Sequence, residues 1–368
     1  MTGPGAGGTS SLDLSADPIV LTAALVDIPS VSGGEDRLAD AIERALRGLP
    51  RLDVHRVGNT VVAATSFGRA ERVVLAGHID TVEVAGNVPS RVADGALYGC
   101  GTCDMKSGVA VQLKLARTVG AGPVVPDRDL TFVFYECEEV GLDRNGLGLL
   151  ARERPEDLAA DLAVLLEPTD CLVEAGCQGS LLARIAVDGV RAHSARSWLG
   201  DNALHRTAPV LDRLAAYEAR RVEIDGLVYR EGLNAVRITG SFPSGAVPDR
   251  CELDINFRFA PDRSEEEAAA HVRELFGDYA PVIVSTRPGA LPGLGRPIVA
   301  DFAAAVGGTP RAKFGWTDVA RFAQLGVPAV NYGPGNPDLA HKPDEHVLLD
   351  RPGQACRRLG HWLGLPDS

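Results

Sequence analysis

Arg72-Val73-Val74-Leu75-Ala76-Gly77-His78-Ile79-Asp80 decides how the chain is read, because a short apolar run over Arg72–Ala76 has strand character and stops at two ionisable side chains. The same pattern recurs along the sequence. Leu130–Tyr135 leads to Cys137-Glu138-Glu139, Leu162–Leu166 leads to Glu167, and Val327–Tyr332 leads through a Gly/Pro-rich loop to His341. Asp104 instead opens a helix that starts at Met105. In open α/β sheets the ligand site lies outside the carboxyl ends of the strands, so these residues are expected to converge there.

Working outward, Asp17-Pro18 is a cap-plus-first-turn signal for a helix through about Asp27. Ser32-Gly33-Gly34-Glu35 reads as a capping box opening an amphipathic helix over Leu38, Ile42 and Leu46. Strands are expected at Leu52–Val57 and Thr60–Thr65, and helices at Met105–Arg117 and Leu147–Arg154. This alternation predicts an α/β sandwich on a mixed, largely parallel sheet.

The texture changes after Glu167-Pro168. Strand patterns at Ser180–Val187, Asn234–Ser241 and Cys251–Phe259 enclose a helical stretch Asn202–Arg221. A second helix follows at Ser264–Phe276, with Glu265, Glu266 and Glu267 in the first turn where the helix dipole favours them. The first texture then resumes, with helices at Pro297–Val306, Thr317–Leu325 and Arg351–Leu363. The expected organisation is a discontinuous catalytic domain, residues 1–177 and 291–368, around an inserted α+β domain, residues 178–290.

A chain of 368 residues has room for two domains with sizeable cores. The net charge of −12 and the absence of a Lys/Arg block argue against a nucleic-acid partner. No apolar run approaches the ~20 residues of a membrane span. The Gly/Ser-rich start Met1–Pro18 reads as a frayed terminus rather than a signal peptide, and seven cysteines, an odd number, do not make a disulfide framework. The expectation is a cytoplasmic enzyme acting on a small molecule.

Two histidines and three carboxylates suit two adjacent zinc-type ions, since imidazole and carboxylate bind such ions and leave positions open for water. In this reading His78 and Glu167 hold one ion, Glu139 and His341 hold the other, and Asp104 bridges them. Asp80 orients the His78 imidazole, and Glu138 is the general base on the attacking water. Strand ends that gather like carboxylates need a cation to neutralise them. Cys100-Gly101-Thr102-Cys103 offers a competing Cys-x-x-Cys redox reading.

Six segments carry a family resemblance: Gly77-His78-Ile79-Asp80-Thr81-Val82; Tyr98 through Gly108; Glu138-Glu139; Glu167-Pro168-Thr169; His193-Ser194-Ala195; and Ala340-His341-Lys342-Pro343-Asp344-Glu345-His346. Together they resemble the dinuclear zinc amidohydrolases, the family of aminoacylases, acetylornithine deacetylases and succinyl-diaminopimelate desuccinylases. Asn87-Val88-Pro89-Ser90-Arg91 and Phe314 through Phe322 make the likeness strongest to the actinobacterial desuccinylases. The resemblance implies the metal roles above, with zinc replaceable by cobalt, and a cis Asp104–Met105 peptide. It implies a homodimer whose inserted domain is a lid, with His193 stabilising the oxyanion in the partner's site. Arg258 would bind a substrate carboxylate and Asn234 would lie near the substrate. The implied reaction is hydrolysis of N-succinyl-LL-2,6-diaminopimelate in lysine and diaminopimelate biosynthesis, with another N-acyl amino-acid deacylase or a dipeptidase as the alternative. Cys100 stands where many relatives carry arginine.

Overall fold

Strands Asp129–Tyr135, Arg72–His78, Leu162–Leu165 and Ala329–Asn331 run side by side and parallel through the middle of a mixed sheet. The computed structural model describes residues 12–240 and 245–366. Among them the sheet has eight strands. An antiparallel hairpin, Asp53–Val57 and Thr60–Ala64, flanks Asp129–Tyr135 on one side, and Glu174–Ala175 and Arg311–Ala312 lie beyond Ala329–Asn331 on the other. Every residue of Asp129–Tyr135 is buried, and so is all of Arg72–His78 after Arg72. Continuous apolar runs are what a parallel sheet covered on both faces requires. Helix Lys106–Ala121 packs on the sheet and against helices Pro18–Val26 and Arg351–Trp362. The peptide from Asp104 to Met105 is cis, as the resemblance implies.

The chain divides into two compact units. The first comprises Met1–Ala175, Gly293–Arg311 and Arg321–Ser368; the second comprises Gly176–Pro292 and Ala312–Ala320. The second unit is built on an antiparallel sheet in the order Gly232–Thr239, Arg250–Phe259, Gly179–Asp188, Val282–Arg287. Alternation along Gly179–Asp188 sends Leu181, Ala183, Ile185 and Val187 into a core with Phe257, Phe259, Val272 and Phe276. The residues between them occupy the other, more open face. Helix Glu265–Phe276 starts with a complete capping box, Ser264 with Glu267.

Four local expectations are corrected. Ser32 and Glu35 make no capping box: helix Asp36–Arg47 has no side-chain cap, because the Ser32 hydroxyl donates to Asp80 and Glu35 accepts from the N–H groups of Gly33 and Cys137. The stretch Asn202–Arg221 is not one helix; a short 3-10 turn, His205–Thr207, precedes helix Ala208–Ala215, and Arg221–Ile224 is already a strand. That strand pairs with Leu227–Arg230 across Asp225-Gly226, both at positive φ, a hairpin signal that outweighs the helical periodicity. Leu12 and Leu14 are buried and Lys114 holds the carbonyls of Ser15 and Ala16, so residues 12–18 are tied down, while the rest of the expected frayed start lies outside the described residues. The strand expected over Asn234–Ser241 runs Gly232–Thr239, and Ser241 lies outside the described residues.

Candidate metal centre

The first unit brings His78, Asp104 and Glu139 together, with one ligand atom from each within 4.8 Å of the others. His78 ends its strand and is 1% exposed. Its Nε2 lies 3.1 Å from Asp104 Oδ1. From the other side His341, at φ 62°, places Nε2 2.9 Å from Glu139 Oε1 and 3.4 Å from Asp104 Oδ2. Asp104 therefore stands between the two imidazoles. Glu167 follows the Leu162–Leu165 strand, beside the Arg72–His78 strand, and is buried, though it is not one of the three mutually close residues.

Asp80 does more than orient a ring. Its carbonyl oxygen lies 3.0 Å from His78 Nδ1, nearer than its carboxylate oxygen at 3.4 Å. The carboxylate accepts from the backbone N–H of Glu138 at 3.0 Å and of Glu139 at 3.1 Å, and from the Ser32 hydroxyl at 2.7 Å. One buried side chain thus fixes the turn that presents both glutamates. Glu138 itself is half-buried beside it.

The charges of the cluster are strongly coupled. Hydrogen bonds to the carboxylates of Asp104 and Glu139 raise the His341 pKa to about 10. Burial works against a charged His78, yet Asp104 and Asp80 hold its pKa well above the usual histidine value. Burial likewise opposes ionisation of Asp104, but both histidines outweigh it and keep the carboxylate ionised. The cluster draws in positive charge, and its oxygen and imidazole donors suit divalent cations of the zinc type. A second close group, Glu35, Glu136 and Cys137, already has structural partners: Glu35 accepts from Cys137 and Gly33, and Glu136 accepts from the Asn59 N–H at 2.7 Å.

Glu345 is a residue whose part the sequence did not disclose, although it lies in the Ala340–His346 segment. Its carboxylate accepts from the N–H groups of Gly101 at 2.9 Å, Cys103 at 2.8 Å and Asp104 at 3.0 Å, shaping the loop that delivers Asp104. Burial first of all pushes its pKa up to about 7. The competing redox reading finds no support here. Cys100 donates to the Val82 carbonyl, the single Cys103 S–H has the carbonyls of Asn336 and His346 within reach at 3.3 and 3.2 Å, and burial raises both thiol pKa values, the reverse of what a nucleophilic thiolate needs.

The other expected residues lie in the second unit. His193 ends the short strand Ala192–His193, is exposed, and accepts from the Ala195 N–H through Nδ1 at 3.0 Å. Asn234 and Arg258 lie on neighbouring strands of the four-stranded sheet, where Asn234 pairs with Asn256 and Arg258 with Gly232.

Residues 74–363 match Peptidase family M20/M25/M40. The chain belongs to this family. This M20/M25/M40 member is 54% identical over 356 residues to the putative succinyl-diaminopimelate desuccinylase DapE of Mycobacterium tuberculosis, covering 96% of this chain and 99% of that protein. It is 53% identical over 362 residues to the succinyl-diaminopimelate desuccinylase of Corynebacterium glutamicum, covering 96% and 97%. Its fold is shared with a tripeptidase from Staphylococcus aureus, with a TM-score of 0.78 at 19% identity over 96% of this chain and 98% of that one. No helix among the described residues is long and apolar enough to cross a membrane.

Proposed function

We propose that this family member hydrolyses the succinyl amide of N-succinyl-LL-2,6-diaminopimelate to succinate and LL-2,6-diaminopimelate. The observation that carries the reading is the gathering of His78, Asp104 and Glu139, with His341 bonded to Glu139 and close to Asp104, beside a Glu138 whose backbone N–H is held by Asp80. Identity above 50% to two desuccinylases over nearly the whole chain supports the substrate.

His78 and Glu167 would hold one divalent ion, Glu139 and His341 a second, with Asp104 shared. Zinc, or cobalt in its place, would polarise the amide carbonyl and make a water acidic enough to be activated at neutral pH. Glu138 takes a proton from the attacking water as its oxygen adds to the succinyl amide carbon, and returns that proton to the amine nitrogen as the C–N bond breaks. His193 stabilises the developing oxyanion in the partner's site, and Arg258 and Asn234 contact the substrate. The second unit serves as lid and dimerisation domain of a cytoplasmic homodimer. Exposed Val236 and Ile238 on its edge strand, and Trp198 at 75% exposure, support a surface for a second copy.

The test compares turnover of N-succinyl-diaminopimelate, N-acetylornithine and simple dipeptides by the zinc-reconstituted chain. Preference for the first is expected; no turnover of it would refute the substrate. Glu138→Gln should retain the metal content of the parent and lose about 10²- to 10⁴-fold in kcat. An active, metal-replete Glu138→Gln would remove Glu138 as the base.

A further inference from the structure

The open face of the second unit's sheet carries two arginine rows that are completed differently. In one, Arg237 pairs across the strands with Asp254, and Asp254 with Arg184. The Asp254 carboxylate bonds Arg184 at 2.7 and 3.1 Å and Arg237 at 2.8 Å, so both guanidinium charges are answered within the sheet. These bonds, that to Arg184 first, hold the Asp254 pKa down to about 2.

Four residues along the Arg250–Phe259 strand, and so on the same face, Arg258 pairs with Ser180, and Ser180 pairs with Arg287. The second triple is shifted by one strand, so that Arg258 stands on the strand that carries Asp254, and the residue between the two arginines is the Ser180 hydroxyl of the neighbouring strand rather than a carboxylate. Among the described residues no carboxylate forms an ion pair with Arg258 or Arg287, in a chain with 49 acidic residues against 37 basic ones. Both side chains are nevertheless held in place. Arg258 Nε donates to Asn256 Oδ1 at 3.1 Å, and Asn256 donates to the Ser180 hydroxyl at 3.2 Å. The Arg287 guanidinium lies over the Trp316 ring, 4.9 Å from its centroid, and Trp316 is anchored by its own bond to the Pro288 carbonyl at 3.0 Å. Two ordered cations with neutral neighbours make a site that an anion completes, and planar guanidinium forks match a carboxylate.

We propose that Arg287 and Ser180 join Arg258 in a subsite for a free carboxylate of the N-acyl amino-acid substrate, Arg287 being its specificity-determining member. This rests on the amidohydrolase reading for the identity of the ligand. The carboxylate belongs either to the acyl chain, as in a succinyl group, or to the amino acid.

The test measures kcat and KM of the metal-loaded enzyme and of Arg287→Met and Arg287→Lys, on the N-succinyl and N-acetyl forms of one amino acid. Met keeps the packing on Trp316 and removes the charge; Lys keeps the charge without the fork. With Arg287→Met, KM for the N-succinyl form should rise about tenfold or more with kcat little changed, and Lys should recover part of the loss. A rise confined to the N-succinyl form assigns the acyl carboxylate, and an equal rise on both forms assigns the amino-acid carboxylate. Unchanged KM on both forms overturns the subsite. Calorimetric titration with succinate separates this failure from failure of the hydrolase reading: a chain that turns over neither form yet binds succinate more weakly as Arg287→Met still has the subsite. In a chain that turns over neither form, equal succinate binding by parent and Arg287→Met, or none by the parent, overturns it. Should Arg287→Met melt early, Arg287→Lys decides by the same KM comparison: a raised KM supports the subsite and an unchanged KM on both forms overturns it.

Discussion

Asp80 lies two positions from His78, and that spacing is visible in the sequence as a ring-orienting pair. Its bonds to Glu138 and Glu139 are not, because they cross 58 and 59 positions and arise from the parallel pairing of Arg72–His78 with Asp129–Tyr135. Asp80→Asn tests this second task. An amide can satisfy one of the two backbone N–H groups but must turn its own donor toward the other or toward Ser32. The loss of a charged acceptor in a fully buried position should weaken metal binding about 10- to 100-fold, read by competition with a chromogenic chelator. Affinity equal to the parent's would show that the Glu138–Glu139 turn holds its shape without the charge. Ser32 departs from its local pattern for the same reason: the pattern favours a cap, while the hydroxyl has a longer-range partner in Asp80.

Element packing sets limits that propensity does not reveal. Gly108 sits in the first turn of helix Lys106–Ala121, where an alanine would ordinarily gain about 1 kcal/mol of helix propensity. A Cβ at that position would meet the Leu166 carbonyl oxygen at 2.2 Å and Leu166 Cβ at 2.7 Å. Helix and strand are this close just where they present Asp104 and Glu167. Gly108→Ala should therefore destabilise the chain, by about 1–3 kcal/mol, despite its better propensity. A lower midpoint of urea unfolding with an unchanged slope is the expected reading; a raised midpoint would mean that the helix can retreat. Most of the first unit's elements were legible because their periodicity and end signals agree. The hairpin Arg91–Ala93 with Ala96–Tyr98 is not legible in the sequence although Asp94-Gly95 at its turn is a recognised signal, since both strands are too short for a clear alternation.

At the scale of the whole molecule, the exposed apolar residues of the Gly232–Thr239 edge strand bear on assembly. Val236 is 58% and Ile238 50% exposed, on a strand with one side unpaired within its sheet. The paired change Val236→Lys with Ile238→Lys is expected to shift the chain from dimer to monomer in sedimentation velocity; a parent that already sediments as a monomer would remove the dimer from the proposal. The sequence by itself determined which donor types end the apolar strands and where helices begin at clear caps, because periodicity and capping act over a few residues. Tertiary structure decided which of those donors meet: Asp104 between two histidines, Glu345 reaching back over 241 positions to the Asp104 N–H, and Arg258 and Arg287 flanking Ser180. Strand register and loop closure make these contacts, and neither is written in the spacing of residues along the chain.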